Sequence, residues 1–263
     1  MSHILNVRKD TFDPRDHVVA PNAPASPLII SYRSQVPYIK DQGQLGSCTA
    51  HAATEHFERA VRQMKSQVPL SYARATIRLS PLFQYAQERI AEGTFAEDAG
   101  ADSRTIFTVL SSVGCCLESS DPYASTNLLK MPTAAQVAEA ANFKFQAYHR
   151  IMDVATAKTV LQSNYTFTVG TPLFQQFQSD QAAEDGLIAM PSGSSIGGHE
   201  MHVIGCDDTK QVLGQVGAFE CQNSWADTWG DKGFAWIPYA YFEALQDQWD
   251  FWLGHYGRQW QAQ

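Results

Sequence analysis

The chain has no run of about 18 apolar residues, so nothing in it reads as a membrane span. Its first residues, MSHILNVRKDTFDPRDH, lack the apolar core of a secretory signal. That points to a cytoplasmic protein, or to one exported or delivered without a Sec-type signal. There is no basic surplus either. The formal charge is −8, which argues against a nucleic-acid-binding surface. Cysteine is scarce and odd in number, five in all with two adjacent, and this is not the pattern of a disulfide framework. Internal repeats and low-complexity tracts are absent as well.

What is present is enough to build a core. The 263 residues are 44% hydrophobic, with six Trp and fourteen Phe, which suits one large domain or two lobes sharing a cleft. Residues 1 to about 36, rich in Pro, Asp and Ser, read as an extended arm. Residues 47–65 read as a helix, as do "LSPLFQYAQERIAEG", "ADSRTIFTVLSSVG" and the shorter "AAQVAEAANF". Beyond them the pattern changes. "FKFQAYHRI", "NYTFTVGTPL", "EMHVIGCDD", "AFECQNSW" and "GFAWIPY" are short, aromatic or β-branched, and cut by Gly, Asp and Pro, so they read as strands. A helical half followed by a strand half predicts an α+β fold with a cleft between two lobes.

Cys48 stands where the glycine-bearing loop "KDQGQLGS" turns into the first helix. On a helical wheel of about 100° per residue, Ala50, Ala53, Phe57, Val61 and Met64 form an apolar stripe. Glu55, Arg59 and Arg62 fall on the Cys48 side, so the thiol is expected to face away from the core. A thiol in the first turn also lies at the positive end of the helix dipole, which favours the thiolate. The opposing reading is a small buried hydrophobe, the usual state of a lone cysteine.

A nucleophilic thiolate needs a base and the base an orienter. His51, three residues after Cys48, can approach it on the same helix. His199 enters a strand from a Gly-Gly turn and can be held rigidly in a cleft. His202 lies three residues on and points to the other face of that strand. This separates the two rings, and no further ligand pattern completes a metal site. In "ECQNSWADTWGDKGF", Asn223 sits among tryptophans. A neutral amide can accept an imidazole N–H and hold its tautomer, and Trp225 can shield that bond. A turn asparagine beside core tryptophans is the plainer account of the same residues.

Taken together, "DQGQLGSC", "GGHEMHVIGCDD" and "QNSWADTWGDKGF" resemble the papain-like cysteine peptidases. "LSPLFQYAQER", "DAGADSRTIFTVL", "CCLESSDPYAS", "DFWLGHYG" and "DPRDHVVAP" resemble the bacterial-type branch of that family. The resemblance covers residues 10–257. It implies a helical left lobe (about 37–140) and an antiparallel, β-barrel-like right lobe (about 141–263), with the active site between them. It implies that Cys48 is the nucleophile, His199 the general base and acid, Asn223 the orienter, and that Gln42 joins the Cys48 backbone N–H in an oxyanion hole. Trp225 would cover the His–Asn bond. No cofactor or metal is implied, and the partner is a peptide or protein substrate. Departures from the family pattern are Thr49 after the nucleophile, Leu45 where many members carry a disulfide cysteine, and Ala226 in place of the glycine after Asn-Ser-Trp. Cys115 and Cys116 are expected to be structural or surface thiols, with a vicinal disulfide as the alternative, and Cys206 and Cys221 packing residues.

Three functional classes follow: a cysteine endopeptidase, a binding or structural protein that keeps the fold, and a non-proteolytic acyl transferase or deamidase using the same triad. The arm, residues 1–36, can reach the cleft at roughly 3.3 Å per residue. There it would act as a plug or pro-segment; otherwise it lies along one lobe.

Overall fold

The computed structural model describes residues 3–21, 24, 26–63 and 77–257. Helix α1 (Cys48–Gln63) opens the helical half. Helix α2 (Pro81–Glu92) begins with Ser80 capping the Phe83 N–H and Pro81 in the first turn, and ends at Gly93 in the left-handed region. Helix α3 (Ser103–Ser112) is capped by Asp102, whose carboxylate accepts the Thr105 N–H. Helix α4 (Ala134–Ala140) carries a capping box of Thr133 and Gln136. All four lie where the periodicity predicts helix. The predicted end of the first helix, residues 64 and 65, and Met64 of its stripe fall outside the described residues.

The second half forms one antiparallel sheet. Strand β1 (Ile29–Ser31) pairs with β4 (Ser195–Val212), and the remaining strands run in the order β2 (Ala147–Ile151), β7 (Asp250–His255), β3 (Phe167–Phe174), β4, β5 (Gln215–Gln222), β6 (Phe234–Pro238). Three short helices decorate it: α5 (Val154–Gln162), α6 (Asp180–Asp185) and α7 (Tyr239–Leu245). The strand-like composition of their surroundings hides them from a sequence reading. Two apolar clusters fill the halves. One is built on Phe57, Phe83, Phe107 and Trp252, the other on Phe167, Phe219, Phe242 and Phe251. The fold is α+β, helices mostly first and one antiparallel sheet mostly after them.

Helix α1 departs from the amphipathic expectation. It is buried on nearly every side: Glu55, Glu58 and Arg59 are as deeply placed as Phe57, and Cys48 is 0% exposed. Arg59 meets polar partners rather than water, while both Glu55 carboxyl oxygens are buried without a hydrogen-bond partner and Arg62 is partly exposed. Arg59 lies 4.0 Å over the Tyr32 ring and donates to Asn164. Glu58 pairs with buried Lys40 at 3.0 Å and accepts the Leu79 N–H. A helix wedged between two lobes needs partners rather than solvent on its charged face.

The N-terminal arm also lies between the lobes. Val7 N–H donates to Gly198 O at 3.1 Å on the strand side, and Arg8 N–H to Ala101 O at 3.3 Å on the helical side. Asn6 donates from Nδ2 to Asp98 O. The close approach needs glycine, since a Cβ on Gly198 or on Gly100 would collide with the Val7 or Asn6 backbone. Further on, Val19 N–H donates to Arg150 O and Arg150 N–H to His17 O, so the arm runs beside β2.

Candidate active site

Cys48 begins α1, and its sulfur takes hydrogen bonds from the backbone N–H groups of Glu200 and Thr49. The former belongs to the residue next to His199, so β4 and the start of α1 meet at the thiol. The thiol differs from the sequence expectation. Burial pushes it up to about 12, and the two N–H bonds only partly offset that. His199, 0% exposed, is held down to about 4, chiefly by burial and in part by the nearby His3 imidazole, against the opposing bond to Asn223. Both shifts favour the uncharged thiol and uncharged imidazole. The helix dipole is outweighed because water is excluded.

His199 Nε2 lies 2.8 Å from Asn223 Oδ1. The same Oδ1 accepts the Ser224 backbone N–H at 2.8 Å. A backbone donor on that atom identifies it as the amide oxygen, so Nε2 carries the ring proton. Nδ1 is then the basic nitrogen, and it is buried without a hydrogen-bond partner. Trp225 covers this pair, its ring 4.8 Å from the imidazole.

Gln42 is fixed by Ser224 and Tyr123. Its N–H donates to Ser224 O, its Oε1 accepts from Ser224 Oγ at 2.8 Å, and its carbonyl accepts the Tyr123 hydroxyl. One hydrogen of Nε2 goes to Leu45 O at 3.0 Å, which leaves the second amide hydrogen to point elsewhere. The loop is braced by Asp98, whose carboxylate accepts the Gly46 N–H and the Tyr85 hydroxyl.

The other histidines have separate duties. His51 Nδ1 donates to Ser47 O, and its ring packs edge-on to Tyr123. His202 bonds to Gln222 Oε1, on the other face of β4 from His199. Three groups at the site have no role in the sequence reading: His3 lies in no motif, while Ser224 and Glu200 sit unnoticed beside Asn223 and His199. His3 stacks on Trp225 and donates to Gly43 O. Ser224 orients both Asn223 and Gln42. Glu200 lies buried behind the thiol, bonded to Ser103 and Thr168. All five cysteines are free thiols and buried. Among the described residues, no group of three His, Cys, Asp or Glu is placed to hold a metal ion, and no helix is long and apolar enough to cross a membrane. A cavity of about 380 Å³ beside the site is lined by Val7, Arg8 and Lys9 of the arm and by Gly170, Thr171 and Gly198 of the sheet.

The buried sulfur at the start of α1 thus meets the strand that carries His199, whose tautomer Asn223 fixes. The profile described as "Papain family cysteine protease" matches residues 27–243, and the chain belongs to that family. Xylellain, a cysteine protease from Xylella fastidiosa, superposes with a TM-score of 0.83 at 26% identity, covering 97% of this chain and 96% of that one. ProCathepsin B from Trypanosoma congolense shares the fold at 13% identity and a TM-score of 0.71, covering 94% of this chain and 84% of that one. An uncharacterized peptidase C1-like protein of Acanthamoeba polyphaga mimivirus is 30% identical over 224 residues, 81% of this chain and 68% of that protein. Gamete and mating-type specific protein A of Dictyostelium discoideum is 26% identical over 212 residues, 80% of this chain but only 42% of its own length.

Proposed function

We propose that the chain is a cysteine endopeptidase acting through Cys48, His199, Asn223 and Gln42. The observation that carries this reading is the fixed tautomer: Ser224 N–H marks Asn223 Oδ1 as an acceptor, Asn223 takes the His199 Nε2 proton, and Nδ1 is left as a buried base without a partner. His199 Nδ1 takes the Cys48 proton as the sulfur attacks a peptide carbonyl. The carbonyl oxygen becomes an oxyanion that the Cys48 N–H and the free Gln42 Nε2 hydrogen stabilise. The imidazolium returns the proton to the leaving amine, which departs and leaves a thioester. Water, deprotonated by His199, then attacks the thioester; the free acid leaves and Cys48 is restored. Asn223 turns with neither step and keeps the ring in place.

In the same reading, residues 3–10 of the arm close the cleft against substrate. The support is their hydrogen bonding to both lobes and the stacking of His3 on Trp225. With the arm in place, burial keeps Cys48 and His199 uncharged; its departure admits water and makes the thiolate–imidazolium pair accessible. The test is turnover of a mixed peptide library by the full chain, with and without a thiol-directed epoxide. Turnover that the epoxide and Cys48→Ala both abolish supports the reading. Turnover that survives Cys48→Ala overturns it, as does acyl transfer without hydrolysis.

A further inference from the structure

Asp10 is the most deeply held polar side chain among the described residues of the arm, 5% exposed. Its carboxylate accepts the Trp252 indole N–H at 2.7 Å and the Arg104 backbone N–H at 3.0 Å. Its own backbone N–H donates to Asp250 Oδ2 at 2.9 Å. Two carboxyl groups, one from the arm and one from β7, therefore share a buried pocket. The charged groups around them are few. Arg150 on β2 bonds Asp250, and Lys9 reaches the same carboxylate at 3.4 Å from a part-exposed position. The Arg104 guanidinium turns away to Asp16. Asp102 on α3 and Glu200 on β4 add further acidic neighbours.

We propose that Asp10, buried beside Asp250, forms a proton-dependent latch for the N-terminal arm, closed while the Asp10 carboxyl is protonated and released as it ionises. This rests on the reading that the arm closes the cleft. Burial, and after it the Asp250 charge, hold the docked Asp10 carboxyl well above the usual carboxylate range, against the opposing pull of the Arg104 and Trp252 N–H groups. Once the arm is displaced, Asp10 is in water and returns to the ordinary range near 3.9. Docking therefore takes up a proton. A group whose pKa is raised on docking supports docking at low pH and loses that support as pH climbs through the docked value, by up to about tenfold in the docking equilibrium per pH unit. The latch thus opens progressively as pH rises from the ordinary carboxylate value, near 3.9, to the docked value of about 7.

The test uses the full chain and reads two rates at Cys48: reaction with a bulky peptidyl epoxide and with iodoacetamide. Their ratio reports access to the cleft and cancels the ionisation of the thiol. The range is about pH 4.5 to about pH 8, which spans the rise from the ordinary carboxylate value to the docked value of about 7; His17 of the arm clusters with His149 and His255, and Asp10→Asn separates their titration from that of Asp10. The latch predicts that the ratio climbs with pH, by up to about tenfold per unit, that Asp10→Asn holds it at its low-pH level, and that Asp250→Asn, which leaves Asp10 buried, keeps the climb but changes its midpoint. The double variant Val7→Pro with His3→Ala loses the Gly198 and Trp225 contacts and should read high at every pH. If that variant reads no higher than the native chain, the closed-cleft reading itself fails. If it reads high while the native ratio is flat, or while Asp10→Asn follows the native curve, the latch is overturned.

Discussion

His3 lies flat on Trp225, with ring centroids 4.5 Å apart and planes within 3° of parallel. The same indole also packs against His199, with Phe177 and Trp229 around it, so the arm and the candidate base share one tryptophan. Burial lowers the pKa of His3, consistent with a neutral ring stacked on the indole. His3→Ala should loosen this end of the arm and raise the rate of epoxide labelling at Cys48 about threefold to tenfold, given a stacked pair worth about 0.5–1.5 kcal/mol. Unchanged labelling would mean that the stack does not restrain the arm.

The histidines should separate by role. On the proposed mechanism His199→Ala loses about 10²–10⁴-fold in kcat, the usual worth of a general base. Asn223→Ala should cost less, because an orienter acts through the ring it holds. His51→Ala should spare most of the chemistry and instead lower stability by about 1–3 kcal/mol, since it strips a buried bond to Ser47 O. Steady-state kinetics beside urea unfolding distinguish the two kinds of loss. A kcat defect in His51→Ala as deep as that of His199→Ala, with stability intact, would move the base to His51.

Gln42→Ala should lower kcat by about 10²–10³-fold with little change in KM, because an oxyanion donor acts on charge that exists only in the transition state. A defect confined to KM would assign Gln42 to the loop architecture alone, where it already holds Ser224.

Ala226 adopts φ of 65°, in the left-handed region. An L-residue with a Cβ pays roughly 1–2 kcal/mol there, part of which glycine gives back through its freer unfolded chain. Ala226→Gly should therefore stabilise the protein by up to about 1 kcal/mol, read as a rise in the urea midpoint at constant slope. A lower midpoint would show that the Ala226 methyl makes compensating contacts.

Much of this architecture could be read from the residues. Ser80 and Asp102 stop one loop and start a helix, and the 3.6-residue periodicity carries α2 and α3 through to Gly93 and beyond Ser112. The short strands announced themselves by β-branched and aromatic runs. Cys48, His199 and Asn223 were legible only as a set, because each alone has an ordinary packing explanation. Other features were not legible for physical reasons. The polar face of α1 looked solvent-facing because a wheel cannot tell water from a polar neighbour such as Lys40. Helices α5, α6 and α7 are short and sit among β-branched and aromatic runs, which mask them. His3 acts across 40 positions of sequence, on Gly43, and no local pattern encodes such a contact. The Cys48 pKa followed the helix dipole in the sequence reading, yet burial, a property of the whole fold, dominates it.

The central claim is that Cys48 and His199 work as one unit, and peptide mapping after prolonged treatment with a thiol-directed epoxide tests it most directly. The account predicts a single adduct, at Cys48, with Cys115, Cys116, Cys206 and Cys221 unmodified, and a rate that falls by about 10²-fold or more in His199→Ala. Adducts spread over all five cysteines, or a Cys48 rate indifferent to His199→Ala in a folded protein, would contradict it.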